Sequence, residues 1–199
     1  MKKLVSIILI ILCVTPILSQ KIKTASGDIS VLAGEKELSV TFGYNNMKVH
    51  GYTTEEEFIQ VKEELRENHN PGSGSIFRGS WFADRDTVYE PLFIEYFNYA
   101  LPKKRKVTVS RNNPDAKYNL HVQTLWMYPG YNVGFSHAAK IDVLLQVYEI
   151  ANPEKILWES KSPTRIVAKV APFKREERIG AAYGALAISM SWLLKKKAK

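Results

Sequence analysis

Residues 141–160 read IDVLLQVYEIANPEKILWES, and this stretch decides the fold. Every second residue in its first half is apolar, the period-two pattern of a strand with one covered face: Ile141, Val143, Leu145 and Val147. The sequence Asn152-Pro153-Glu154 is typical of a turn, and an apolar segment at residues 156–158 follows it. The pattern therefore predicts an antiparallel hairpin.

Other segments rich in β-branched and aromatic residues surround this hairpin. We expect strands at residues 29–32, 38–44, 107–110 and 118–128, and an extended edge segment at residues 164–170.

Three further segments carry helical signals. Thr54 with Glu57, and Thr87 with Glu90, form capping boxes that predict helices over residues 55–67 and 88–101. Residues 175–194 repeat apolar side chains at helical spacing and predict a long terminal helix. The sequence thus predicts an α+β fold, in which a mainly antiparallel sheet has two helices and a C-terminal helix packed on one face.

The beginning of the chain is typical of a secretory signal. Lys2 and Lys3 precede an apolar run over residues 4–14, and Ser19 is a small residue at a plausible cleavage point. We predict a signal peptide over residues 1–19, a flexible leader over residues 20–28 and a single α+β domain over residues 29–199. The predicted location is the periplasm, or an association with the outer membrane.

Cys13 is the only cysteine in the chain. One interpretation makes it the lipidated residue of a bacterial lipoprotein, although Leu12 stands where such sites have a small residue. The other interpretation removes it with the signal peptide, which leaves a mature chain without disulfides or cysteine ligands.

The chain is basic, with 28 lysines and arginines against 20 acidic residues and a net charge of +8. Part of the excess lies in two runs, at residues 103–106 and at residues 195–197 with Lys199. These are either solvated element ends or candidates for peripheral contact with an anionic membrane surface. The sequence contains no recognisable nucleic-acid-binding motif, so we expect no nucleic-acid partner.

Two segments resemble a known family. Residues 115–124, DAKYNLHVQT, resemble the A-D-Y-x-L-x-G-x-V strand of periplasmic assembly lipoproteins, and residues 141–160 are similar to the hairpin that follows it. That family includes the curli secretion lipoprotein and the amino-terminal domain of the Tol-system propeller protein. The resemblance implies an anticodon-binding-like α/β fold used for protein interaction in the envelope, and it implies no catalytic residues.

The sequence contains no recognisable catalytic motif. The four histidines, at positions 50, 69, 121 and 137, lack metal-ligand spacing, so we expect no metal and no cofactor. An enzyme acting on an envelope polymer remains an alternative, with Asp84, Asp86 or Glu95 as candidate carboxylates.

Aromatic residues mark two candidate binding loops. Residues 126–137 place a proline and two glycines among aromatic side chains, and residues 76–82 form a second aromatic and glycine-containing segment. The candidate binding residues are Trp126, Tyr128, Tyr131, Phe135, Phe77 and Trp81. They either contact a partner or fold back over the sheet as a lid.

The sequence accordingly predicts an exported, non-enzymatic interaction or assembly module of the gram-negative cell envelope, with envelope proteins as partners. A second alternative is a membrane-associated, oligomerising protein that uses the uncharged helical segment Ile179 to Leu194. The oligomeric state does not follow from the sequence.

Overall fold

A computed structural model describes residues 20–101 and 107–197. The predicted signal peptide, the basic run at residues 103–106 and Lys199 lie outside the described residues, so these predictions stay predictions.

The fold is α+β, as the sequence predicts. The strands are β1 (Thr24–Gly27), β2 (Glu37–Gly43), β3 (Lys48–Val49), β4 (Thr108–Arg111), β5 (Tyr118–Tyr128), β6 (Tyr131–Val133), β7 (Phe135–His137), β8 (Lys140–Glu149), β9 (Asn152–Ser160) and β10 (Thr164–Val167). The main sheet has the order β1-β9-β8-β5-β2-β4, with β10 also paired to β8 and β3 to β5. Strands β6 and β7 form a separate hairpin.

The predicted β8–β9 hairpin is confirmed. The two strands are antiparallel, with Val147 opposite Trp158. The chain reverses at residues 150–151, however, and not at Asn152-Pro153-Glu154, which begins β9. Register shifts beside Tyr148 accommodate the residues that follow the reversal. Pro153 is tolerated there because it lies in the irregular start of β9, where no ladder hydrogen bond from its nitrogen is needed.

The sheet is mixed. Strand β5 pairs antiparallel with β8, whereas β2 is parallel to both β4 and β5. A parallel pair needs a long crossover connection, and the helical segment between β2 and β4 provides one.

That crossover holds α1 (Glu55–His69), α2 (Ser73–Asp84) and α3 (Glu90–Ala100), with a π-helical turn at Arg85–Tyr89 joining α2 to α3. Helix α1 confirms the predicted cap at Thr54, because the Thr54 side chain accepts a hydrogen bond from the Glu57 amide. The predicted cap at Thr87 is wrong, since α3 begins at Glu90 and the Thr87 hydroxyl donates to the Ala83 carbonyl at 2.8 Å. The predicted loop at residues 76–82 is wrong, since this segment lies within α2. Phe77 and Trp81 are four residues apart and share the buried helix face, which explains why the segment is helical.

Two predictions near the amino terminus are also wrong. Residues 29–32 form one turn of 3-10 helix, capped by Asp28, instead of a strand. The predicted flexible leader contains β1, which pairs with β9, and its Ile22 side chain is buried. The Gln20 side chain continues this edge by exchanging two hydrogen bonds with the backbone of Val167.

The last helix, α4 (Arg175–Lys197), packs against α3 and the sheet. A Cβ atom at Gly180 would lie 2.5 Å from Leu92 Cδ1, and one at Gly184 would lie 3.3 Å from the Tyr96 ring. The small residues of α4 therefore face α3. Within the described residues, no helix is long and apolar enough to cross a membrane.

Alternation along β5 separates the two faces of the sheet. The Thr124 hydroxyl meets the Tyr183 hydroxyl of α4 at 2.7 Å, on the helical side. On the opposite face, His121 is within hydrogen-bond distance of Thr41 Oγ1 at 2.9 Å. We call this second side the open face.

Candidate interaction surface

The most exposed aromatic residue of the predicted loop lies at the tip of a hairpin. Residues 126–128 complete β5, and the remainder of the segment forms the β6–β7 hairpin around Gly134, whose φ is +74°. Val133 is 81% exposed and Phe135 82% exposed, so neither side chain covers the sheet.

A buried arginine fixes the base of this hairpin. From α4, Arg178 Nε donates to the Pro129 carbonyl at 3.1 Å and Nη2 donates to the Gly130 carbonyl at 3.4 Å. Its Nη1 donates to the Pro172 carbonyl at 3.0 Å and also to the Phe173 carbonyl. One guanidinium group thus ties the hairpin to the segment that precedes α4.

Burial lowers the pKa of Arg178, but an arginine pKa lies so far above neutrality that the group stays charged. In the described part of the chain, Arg178 forms no ion pair. The carbonyl dipoles are therefore what solvates its charge.

The segment before α4 adds apolar surface beside the hairpin. Phe173 is 78% exposed and Val170 is also exposed. Asn132 Nδ2 in β6 donates to the Ala171 carbonyl at 2.8 Å, which holds the two segments together. We call the side chains of Tyr131, Val133, Phe135, Val170 and Phe173 the hairpin platform.

Trp126 and Tyr128 lie on the open face instead of in a loop. A bulge between Thr124 and Trp126 shifts the register, so Trp126 pairs with Asp142 on the open face. The His50 ring lies between them, with its centroid 5.6 Å from the ring centroid of Trp126 and 5.0 Å from that of Tyr128. Both predicted binding residues are half-buried by these contacts.

Cationic side chains complete this aromatic cluster. The Arg165 guanidinium lies 4.9 Å from the Trp126 ring centroid, and it forms two hydrogen bonds with the Asp142 carboxylate at 2.7 and 2.6 Å. Lys140 Nζ lies 5.6 Å from the Tyr128 ring centroid. The resulting open pocket has a volume of about 370 Å³ and is lined by His50, Trp126, Tyr128, His137, Lys140 and Arg165.

The pocket and the hairpin platform form a continuous surface. His137 lines the pocket and stacks on Tyr131, with the two ring centroids 4.4 Å apart. Four of the six predicted binding residues, Trp126, Tyr128, Tyr131 and Phe135, therefore lie in one region of the molecule.

The other two predicted binding residues lie in the core. Phe77 is 5% exposed and Trp81 is 1% exposed. Trp81 Nε1 donates to a Glu55 carboxylate oxygen at 2.6 Å, which satisfies the polar atom of the buried indole. Their expected display to a partner is wrong, because α2 turns both rings towards α1.

The candidate catalytic carboxylates have separate partners. Asp84 is buried and pairs with Arg175 at 2.5 Å, whereas Asp86 is exposed and pairs with Arg111 at 2.7 Å. Glu95 is exposed on α3. Within the described residues, no group of three or more His, Cys, Asp or Glu side chains is placed to hold a metal ion.

Sequence reasoning missed several residues of this surface. Phe173 and Val170 lie in a segment without regular structure, and Arg178 stands in the charged run Arg175-Glu176-Glu177-Arg178 that begins α4. Charged residues are usual in the first turn of a helix, so the pattern gave no sign that Arg178 is buried. His50 carried no signal either.

Fold and surface together define a class: a two-layer α+β protein that displays an apolar hairpin beside an open sheet face. No protein-family model matches the chain, and the comparison with curated proteins also gives no match. Among solved structures, a PelC dodecamer from Paraburkholderia phytofirmans is similar, with a TM-score of 0.39 and 11% identity over 90% of this chain and 99% of the PelC chain. At this level of similarity the likeness assigns neither a family nor a function.

Proposed function

We propose that this chain is an exported, non-enzymatic interaction or assembly module of the gram-negative cell envelope, and that the hairpin platform is its contact surface. The observation that carries the proposal is the exposure of Val133 and Phe135 on a hairpin whose base is held by buried Arg178. The predicted export signal supports the location in the envelope.

The energetics favour a contact role for these side chains. Burying a large apolar side chain is worth roughly 1.5–3 kcal/mol, so Val133 and Phe135 can contribute a substantial part of a binding free energy. Because Arg178 holds the hairpin in place before binding, less conformational entropy is lost when a partner arrives. Tyr131 and the neighbouring pocket add polar atoms that can give specificity.

The contacts described above support this proposal over the two alternatives. For an enzyme, the candidate carboxylates would have to converge on a substrate, but Asp84 and Asp86 pair with different arginines. For an oligomerising membrane helix, α4 would need a free small-residue face, but Gly180 and Gly184 lie against α3.

Capture from cross-linked envelopes tests the proposal. The variant Val133→Ser/Phe135→Ser removes the tip of the platform, and we expect it to lose a specific envelope protein that the unchanged chain recovers. Ile76→Ser/Tyr99→Ser is the matched control, since Ile76 is 72% and Tyr99 88% exposed on helices away from the hairpin. Equal recovery by both variants would count against the platform, provided that both unfold at the same temperature as the unchanged protein.

A further inference from the structure

A second concave site lies behind the base of the hairpin and differs from the platform in charge. It is a groove of about 330 Å³ between α1, α2, the end of β5 and the start of α4. Its lining includes four basic side chains, Lys62 and Arg66 from α1 and Arg175 and Arg178 from α4. Among the described residues that line it, none is an aspartate or glutamate.

The positive charges of this groove are incompletely compensated. Within the described residues, Lys62, Arg66 and Arg178 form no ion pair with a carboxylate. The nearby Arg78 of α2, by contrast, pairs with Glu56 and Glu63, which lie on α1 with Lys62 and Arg66. Three cations without counter-ions around one concavity repel each other, and a bound anion would relieve that repulsion.

Two of the arginines keep donor groups for which the described residues show no hydrogen-bond partner. The Arg66 guanidinium carbon lies 4.7 Å from the Phe77 ring centroid, and because Arg66 is exposed, its N–H groups are open to a ligand. Arg175 binds Asp84 at 2.5 Å through Nη2, but its Nε atom is buried and has no hydrogen-bond partner. A buried donor without an acceptor is costly, and it adds to the positive character of this wall of the groove.

The start of α4 brings charges of both signs close to the groove. Arg175 is the first residue of this 23-residue helix, whose amide groups carry a partial positive charge, and Glu176 and Glu177 follow it without lining the groove. Aromatic side chains form the remaining wall of the groove: Tyr52, Phe58, Phe77 and Tyr128. The site therefore combines donors for an oxyanion with apolar surface for the group that carries it.

We infer that this groove is a binding site for an oxyanion, a phosphate or carboxylate group, attached to an aromatic or aliphatic body. The α1 pair, Lys62 and Arg66, would contact the anion directly, and Arg178 would supply buried charge beneath it. The inference does not rest on the proposed function, since the groove shares Arg178, His50 and Tyr128 with the neighbouring surface but none of the side chains of the hairpin platform.

Nuclear magnetic resonance titration of the purified protein at constant ionic strength tests this inference. The soluble probes are phenyl phosphate, benzoate and inorganic phosphate, and the amides of Val49, His50 and Gly130 report on the groove. We expect saturable shifts with phenyl phosphate or benzoate, at a dissociation constant below about 1 mM, and weaker binding of inorganic phosphate. The inference is overturned if none of the three soluble probes gives a saturable shift and the protein does not bind the vesicles described below.

Charge-matched variants separate a specific site from general electrostatic attraction. Lys62→Gln/Arg66→Gln should raise the dissociation constant of the probe by about tenfold. Lys21→Gln/Lys36→Gln removes the same charge from exposed positions outside the groove, and it should change the dissociation constant by no more than about twofold. Equal weakening by both would overturn the inference. Both double variants are checked for unchanged thermal unfolding.

The source of the anion is distinguished with vesicles of phosphatidylcholine with and without phosphatidylglycerol. Vesicle binding that requires phosphatidylglycerol and is lost only in Lys62→Gln/Arg66→Gln identifies a lipid headgroup as the ligand. Saturation by the soluble probes without vesicle binding identifies a free anionic molecule instead.

Discussion

Glycines at two positions show how single residues shape the hairpin. Gly130 and Gly134 both have positive φ values, of +67° and +74°. At Gly130 a Cβ atom would lie 2.3 Å from the His137 carbonyl oxygen, whereas at Gly134 nothing lies within 4 Å. The hairpin therefore requires conformational freedom at both glycines but close backbone approach only at Gly130.

This difference gives a matched pair of substitutions. We expect Gly134→Ala to lower the free energy of unfolding by about 1 kcal/mol, the cost of a left-handed backbone in a residue with a side chain. Gly130→Ala adds a collision with backbone and should cost about 3 kcal/mol. Urea unfolding measures both values, and equal losses would show that the close approach at Gly130 is not a constraint.

His121 is one of the residues that make stability depend on pH, and it acts near neutrality. Burial lowers the pKa of His121 below its usual value, so the folded protein holds this ring neutral beside Thr41. Between the two pKa values the unfolded chain binds more protons, so the free energy of unfolding falls as the pH drops from about 6.5. Because the ring is partly solvated, the loss should stay below about 1 kcal/mol.

Urea unfolding between pH 7.5 and pH 5 tests this dependence. His121→Gln should reduce the fall in the free energy of unfolding that begins near pH 6.5. His69→Gln, at the exposed end of α1, should leave that fall unchanged. An unchanged slope in His121→Gln would assign the pH dependence to other groups.

At the scale of elements, Arg178 joins three parts of the chain. It connects α4, the base of the β6–β7 hairpin and the segment before α4 through carbonyl acceptors. Removing a charged group that donates to several carbonyls costs more stability than removing a single hydrogen bond, since each of those carbonyls loses this donor. The hairpin's position therefore depends on one side chain from a distant part of the sequence.

We expect Arg178→Met to lower the free energy of unfolding by about 3 kcal/mol and to speed amide hydrogen exchange at residues 131–137. Arg178→Lys keeps the charge but loses the planar set of donors, so its effect on exchange should be intermediate. Hairpin exchange that is unchanged in Arg178→Met would mean that the hairpin holds its position without this arginine.

Helices α3 and α4 approach closely because Gly180 and Gly184 face α3. The variant Gly180→Leu/Gly184→Leu should force the helices apart and lower the free energy of unfolding by about 2 kcal/mol. Lys196→Leu, at an exposed position of the same helix, should have little effect. Unchanged stability of the double variant, together with altered binding to lipid vesicles, would favour the membrane-helix alternative.

At the scale of the whole molecule, sequence patterns predicted the elements better than their arrangement. The period-two pattern of residues 141–147 and the cap at Thr54 are local signals, and both predicted elements are present. The parallel pairing of β2 with β5 has no local signal, because it depends on how the helices cross between strands. The sequence therefore supported an α+β fold but not the mixed sheet.

The candidate surface was predictable only in part, for similar reasons. Aromatic content selected Tyr131 and Phe135 correctly as exposed residues, but the same criterion also selected Phe77 and Trp81, which are buried. Spacing does not separate the two pairs, because the members of each pair lie four residues apart; the difference is that Phe77 and Trp81 lie in a helix, whereas Tyr131 and Phe135 lie in a hairpin. Trp126 reaches the open face through a bulge, which alternation along β5 does not predict.

The measurement that tests the central claim most directly is site-specific photo-cross-linking in cells that export the protein. A benzophenone amino acid replaces Phe135 at the platform or, as a control, Tyr99 at an equally exposed helical position. We predict a discrete adduct with one envelope protein from position 135, abolished by Val133→Ser, and no matching adduct from position 99. No adduct at position 135, or the same adducts from both positions, would contradict the claim that the hairpin platform is the contact surface.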